Sequence, residues 1–166
     1  MAKLTLITIL RIEHVDSNGR VLWYAENLPN ILHAEGEEYI LKAAFSDTTV
    51  VPANFYFGCD NRSILARSDT MADITGEPTV FGYTRQVISS DGEIQVAVEL
   101  GGYYIATSPI LLFSASGGDW GPVSNLFMTT ESGGSGELIA SVPFSQEITV
   151  EDGTSLNVQM RLSLQS

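Results

Sequence analysis

From residue 83 to the last strand, short apolar runs alternate with turn-forming clusters, and this pattern confines the chain to antiparallel β-structure. The clearest run is Ser155–Leu164. There Leu156, Val158, Met160, Leu162 and Leu164 alternate with polar residues, as a strand with one buried face requires. Turns are marked by Ser89-Ser90-Asp91-Gly92, Gly101-Gly102, Gly117-Gly118, the Glu131–Glu137 loop and Asp152-Gly153. Between them Tyr83–Ile88, Ile94–Leu100, Tyr103–Ala106, Ile110–Ser116, Val123–Thr130, Leu138–Phe144 and Gln146–Val150 read as strands.

The first part of the chain is less uniform. Lys3–His14 is β-rich, but its alternation slips near Ile7, where a bulge is expected. Asp16-Ser17-Asn18-Gly19 supplies a hairpin turn, with Asn-Gly suited to positive φ, and Val21–Ala25 returns as a second strand. Residues 1–26 therefore read as a β-hairpin arm, and residues 27–166 as the core domain. Leu28-Pro29-Asn30 breaks the strand pattern. A single helix follows near residues 34–45, with Leu32, Gly36, Tyr39, Ile40, Ala43 and Ala44 near one face. Gly36 costs about 1 kcal/mol against alanine inside a helix, so either the helix begins there or a backbone packs against it. Asn54–Cys59 reads as a buried strand. Asp60–Val80 is a long irregular connection, with one turn of helix at Thr70–Ile74. The expected fold is mainly β: an antiparallel sandwich or jelly roll of about eight strands with one short helix as a lid.

Composition narrows the function. The chain has 166 residues with a 44% hydrophobic share, enough for one domain with a real core. Its formal charge is −12, with eight Lys plus Arg and no basic stripe, which argues against nucleic acid and anionic membranes as partners. The lone Cys59 excludes an intrachain disulfide. The opening MAKLTLITILRIEHV lacks a small-residue cleavage site and reads as a first strand rather than a leader, and no apolar run is long enough to span a membrane. The expectation is a soluble protein made in a cytoplasm.

Chemistry-bearing residues are sparse. His14 and His33 have no metal-ligand spacing and read as surface residues at a strand end and a helix entry. Cys59, after Phe55-Tyr56-Phe57-Gly58, reads as a core thiol. The adjacent acids Glu37/Glu38 and Glu151/Asp152 read as solvated rather than as carboxylates facing each other across a cleft. Asp60, Asn61, Asp69 and Asp73 offer oxygens for calcium but lack the helix-loop-helix calcium pattern, and turn capping is the better explanation of the same residues. Trp23, Tyr24, Tyr103, Tyr104 and Trp120 suggest a sugar-stacking face, with core packing as the alternative. No catalytic residue, metal ligand or cofactor is assigned, and no enzymatic activity is expected.

Several blocks carry a resemblance. They are ILHAEGEEYILKAAF, FYFGCDNR, DTMADITGEP, GYTRQVI, SPILLFSASGGDWGPVSNLFMTT, LIASVPFS and GTSLNVQMRLSL. In this order, from about Asn27 to the end, they resemble small structural virion proteins of tailed bacteriophages, of the head decoration or cement type. The resemblance implies a protein on the capsid exterior whose partners are the major capsid protein and copies of itself. Its acidic surface would limit premature self-association and steer it toward basic patches on a shell. Partner contact is expected from Leu4, Leu6, Ile9, Arg11 and Trp23 of the arm, and from Arg62, Arg67, Asp69 and Met71 of the long connection. A tail or baseplate protein and a carbohydrate-binding sandwich are the alternatives.

Overall fold

The computed structural model describes residues 5–46, 50–89, 91–98, 104–134 and 136–165. Leu4, Leu100, the Gly101-Gly102 turn and Tyr103 lie outside the described residues, as does the side chain of Leu6.

Two antiparallel sheets form the molecule, with eleven strands among the described residues. The first sheet holds β1 (Thr5–Val15), β2 (Val21–Pro29), β6 (Gln95–Val98), β7 (Tyr104–Thr107), β8 (Leu111–Ser114) and β11 (Ser155–Gln165). Its order is β2-β1-β11-β7-β6. β8 pairs with Ser155–Val158 of β11, while β7 pairs with Arg161–Ser163 further along the same strand. The second sheet has the order β3-β10-β9-β4-β5, from β3 (Ile31–Leu32), β4 (Asn54–Asp60), β5 (Gln86–Ser89), β9 (Trp120–Thr129) and β10 (Leu138–Val150). The two runs read from sequence at 138–144 and 146–150 are one strand, whose register shifts between Pro143 and Ile148.

The alternation seen in the sequence makes the core. Leu156, Val158 and Met160 of β11 are buried beside Ile9 and Ile12 of β1. Phe57 and Cys59 of β4, Leu126 and Met128 of β9, and Val142 of β10 join the same cluster from the second sheet. Each such side chain contributes roughly 1.5–3 kcal/mol on leaving water.

The N-terminal hairpin is not a detached arm. β1 lies between β2 and β11, paired with both. The boundary expected between residues 26 and 27 falls inside β2. Ile7 and Ile9 flank irregularities in the β1–β11 register, in line with the slipped alternation. At the hairpin turn Gly19 takes the positive φ (+78°), and Asp16 accepts hydrogen bonds from the backbone N–H of Asn18 and Arg20, both at 2.9 Å.

The helix α1 (Ala34–Phe45) lies against β10. Gly36 is buried there, Tyr39, Ile40 and Ala43 are half-buried, and Ala44 is exposed. A Cβ at Gly36 would overlap the carbonyl oxygen of Ile139, so the glycine is present for close backbone packing.

Candidate functional site

The long connection after β4 is held down by its own polar residues. Asp60, buried at the end of β4, accepts from Arg62 N at 2.9 Å through Oδ1 and from Gly76 N at 2.8 Å through Oδ2. One carboxylate thus ties together both ends of a fifteen-residue excursion, 61–75. Inside it, Arg62 pairs with Asp69 at 3.0 Å and donates to the Asp73 carbonyl at 2.8 Å. The expected helical turn is a 3-10 helix, Met71–Asp73, closed by a reciprocal Thr70–Asp73 cap. Hydrogen bonds from the Thr70 backbone and hydroxyl hold the Asp73 carboxyl below its ordinary range. Met71 packs with Phe127 and Leu138 in a second small core.

His33 joins this connection to the helix and the second sheet. Its Nδ1 donates to the Ala66 carbonyl at 3.0 Å, so Nε2 accepts from the Ser141 hydroxyl at 2.8 Å. The ring is fully buried, and desolvation lowers its pKa against the opposing pull of the Ala66 carbonyl and Asp69. Arg67 meets Glu37 of α1 in a salt bridge, while its carbonyl accepts from Ala34 N at 2.8 Å. His14 is buried too. Thr154 donates its hydroxyl to the Glu151 carbonyl, so His14 Nε2 donates to Thr154 Oγ1 at 2.8 Å. Both histidines were expected at the surface. Each is instead a satisfied interior hydrogen-bonding group, because each lies on an inward-facing position between packed segments.

A third hub lies beside the 131–134 loop. Arg85 Nε and Nη2 grip the two oxygens of Glu77 at 2.8 and 2.7 Å, and Nη1 donates to the carbonyls of Glu131 and Gly133. The guanidinium also lies 5.1 Å from the Phe127 ring centre. Tyr83 donates its hydroxyl to Glu77 at 2.9 Å and accepts from Cys59 N at 2.7 Å. The groove bordered by Met71, Ile74, Tyr83 and Arg85 is therefore lined by polar groups already engaged with one another. Sequence reasoning missed Glu77, Tyr83 and Arg85, which lie within nine residues of one another but follow no helical or strand spacing that would mark them as a cluster.

The remaining candidates are placed plainly. Cys59 is buried, and desolvation raises its thiol pKa strongly, the opposite of nucleophile activation. Glu37 and Glu38 are engaged by Arg67 and Lys42. Asp152 accepts from Gly117 N at 2.8 Å. Among the described residues, no group of three or more His, Cys, Asp or Glu is arranged to hold a metal ion. No described helix is long and apolar enough to cross a membrane. Trp120 is in the core, Trp23 is half-buried against it, and the exposed Tyr24 and Tyr104 lie on β2 and β7, separated in the first sheet by β1 and β11. These described rings form no common sugar platform.

Of the expected contact residues, Ile9 and Met71 are interior and offer no surface, because both fill apolar cores. Trp23 is largely committed in the same way. Arg62 and Asp69 bind each other. Arg11 stays on the outer face of the first sheet, paired with Glu13 and Glu26 and lying over the Tyr24 ring at 5.3 Å. Tyr24 apart, the surface features that do stand out were not singled out from sequence. Leu41 and Phe45 are exposed on the outer side of α1, and Val21, Leu22 and Tyr24 on β2.

Charge on this surface is one-sided. Five of the eight basic residues, Arg11, Lys42, Arg62, Arg67 and Arg85, are held by carboxylates of the same chain. Near α1, burial and the neighbouring Glu35 and Glu38 raise the Glu137 carboxyl above its ordinary range. On α1 the exposed Leu41 and Phe45 border a shallow depression together with Glu37 and Glu38. No family model matches the chain, and no curated protein matches it.

Proposed function

We propose that the chain is a structural, non-catalytic virion protein of a tailed bacteriophage, a head decoration or cement protein that binds the outer capsid surface. It would be made in the host cytoplasm and end on the particle, with the major capsid protein and copies of itself as partners. The ordered sequence blocks from Asn27 onward suggest the class. The observation that carries the docking role is the internal neutralisation of five of the eight basic residues, which leaves an acidic exterior studded with exposed apolar side chains. Such a surface is suited to a basic, partly apolar lattice and repelled by nucleic acid.

The test is co-sedimentation of the purified chain with capsids lacking it, followed by measurement of copies per particle. Saturable binding at a number comparable to the capsid subunits supports the head role. A few copies per particle would favour the tail or baseplate instead. No binding to heads or tails overturns the virion assignment.

A further inference from the structure

Asn18-Gly19 is the one Asn-Gly pair in the chain, and every other asparagine precedes a residue bulkier than alanine. An asparagine before glycine is open to attack on its own carboxamide, because no Cβ shields the following nitrogen. The pair lies in the hairpin turn between β1 and β2, where both residues are exposed. A Cβ on Gly19 would meet nothing within 4 Å, so no neighbouring segment crowds such a reaction. What restrains it is Asp16. The Asp16 carbonyl accepts from Gly19 N at 3.0 Å, and Oδ1 of its carboxylate accepts from Asn18 N and Arg20 N, both at 2.9 Å. A further bond, from Asp16 N to the Arg20 carbonyl at 2.9 Å, closes the hairpin.

We propose that Asn18 is a self-modification site, deamidated through attack by Gly19 N, and that the bonds to Asp16 hold the reaction back until the turn opens. The Gly19 N–H gives its proton to hydroxide or a buffer base, and the nitrogen bonds to Asn18 Cγ. The carboxamide nitrogen takes up a proton and leaves as ammonia, which closes a succinimide ring. Water then opens the ring. Cleavage of the new bond at Cγ leaves aspartate, whereas cleavage at the main-chain carbonyl of residue 18 leaves isoaspartate, whose backbone runs through Cβ and Cγ. In the closed turn the Gly19 N–H is committed to the Asp16 carbonyl, which fixes the peptide plane between Asn18 and Gly19. Attack needs that plane to turn toward Cγ. The Asp16 carboxylate also opposes the negative charge that develops on the nitrogen. The reaction therefore draws on the open turn, and opening of an exposed turn is among the least costly motions of a fold. Either product adds a carboxylate to the Asp16 turn in a chain already at −12, and isoaspartate also lengthens the turn by one backbone atom. The site concerns the isolated chain and does not depend on the virion reading.

Incubation of the full chain in mildly alkaline buffer tests it, native and in urea at the same pH. Tandem mass spectrometry locates the amide-to-acid mass gain, and labelling by an isoaspartyl methyltransferase reports isoaspartate. The gain is expected at Asn18 in both states, roughly tenfold or more slower in the native chain, and faster in each as pH rises. Asp16→Ala, with its fold checked by circular dichroism, should speed the native reaction several-fold. Asp16→Asn, which keeps an acceptor oxygen, should fall between wild type and Asp16→Ala. In urea Gly19→Ala should slow the reaction many-fold, because a Cβ then shields the attacking nitrogen. The wild-type comparison and the urea comparison need no variant to fold. No gain at Asn18 in either state, equal rates native and in urea, or a native Asp16→Ala as slow as wild type overturns the proposal.

Discussion

Gly36 of α1 sits against the backbone of Ile139 in β10, with no room for a Cβ between them. The same short stretch is fastened by Leu138 N donating to Glu35 at 2.6 Å and His33 N donating to the Ile139 carbonyl at 3.1 Å. Backbone contact, rather than a broad apolar face, positions this helix.

Gly36→Ala should therefore destabilise the protein despite alanine's better helix propensity. Displacing the helix from β10 is expected to cost about 1–3 kcal/mol, as overpacking does. Urea unfolding measures it. An unchanged or raised midpoint would show that α1 shifts freely.

Arg85 is 8% exposed and its partner Glu77 is 19% exposed. Arg85→Ala leaves a largely buried carboxylate and two carbonyls without their donor, at an expected cost of about 3–5 kcal/mol. Arg85→Lys should recover only part, since an ammonium cannot reproduce the forked geometry. Chemical denaturation of both variants checks the order.

The pKa of His33 is lowered in the fold, and that of His14 likewise, in both cases chiefly by desolvation. For a base whose folded pKa lies below its unfolded value of about 6.5, the unfolded state takes up protons first as pH falls. Stability is full above that value and declines below it. Unfolding free energy should drop between about pH 7.5 and about pH 5.5, and His33→Gln should flatten the slope. Glu137, raised in the fold, has the opposite sign and acts at lower pH. A slope unaffected by the substitution would remove His33 as a source.

Deleting residues 1–26 should prevent folding rather than yield a bare core. The cut removes all of β1 and most of β2, takes Ile9 and Ile12 from the core, and strips β11 of its main neighbour. Circular dichroism and proton NMR of the truncated chain decide this. A cooperative β-fold would restore the idea of an independent arm.

Local chemistry determined a good deal by itself. The alternation around Leu156, Val158 and Met160 marked an inward face, Thr70–Ile74 marked a helical turn, and Gly36 marked either a helix start or close packing, of which the second holds. These signals depend only on residues a few positions apart. Tertiary structure alone decided that β1 lies between β2 and β11, that β7 and β8 share one flank of β11, and that Asp60 reaches Gly76. It also decided that Arg85 finds Glu77 beneath the 131–134 loop, and that no described strand pairs with the outer edge of β2. The physical reason is that periodicity sets which face of a strand is apolar, whereas the choice of neighbour depends on every strand competing at once for the same backbone donors and acceptors.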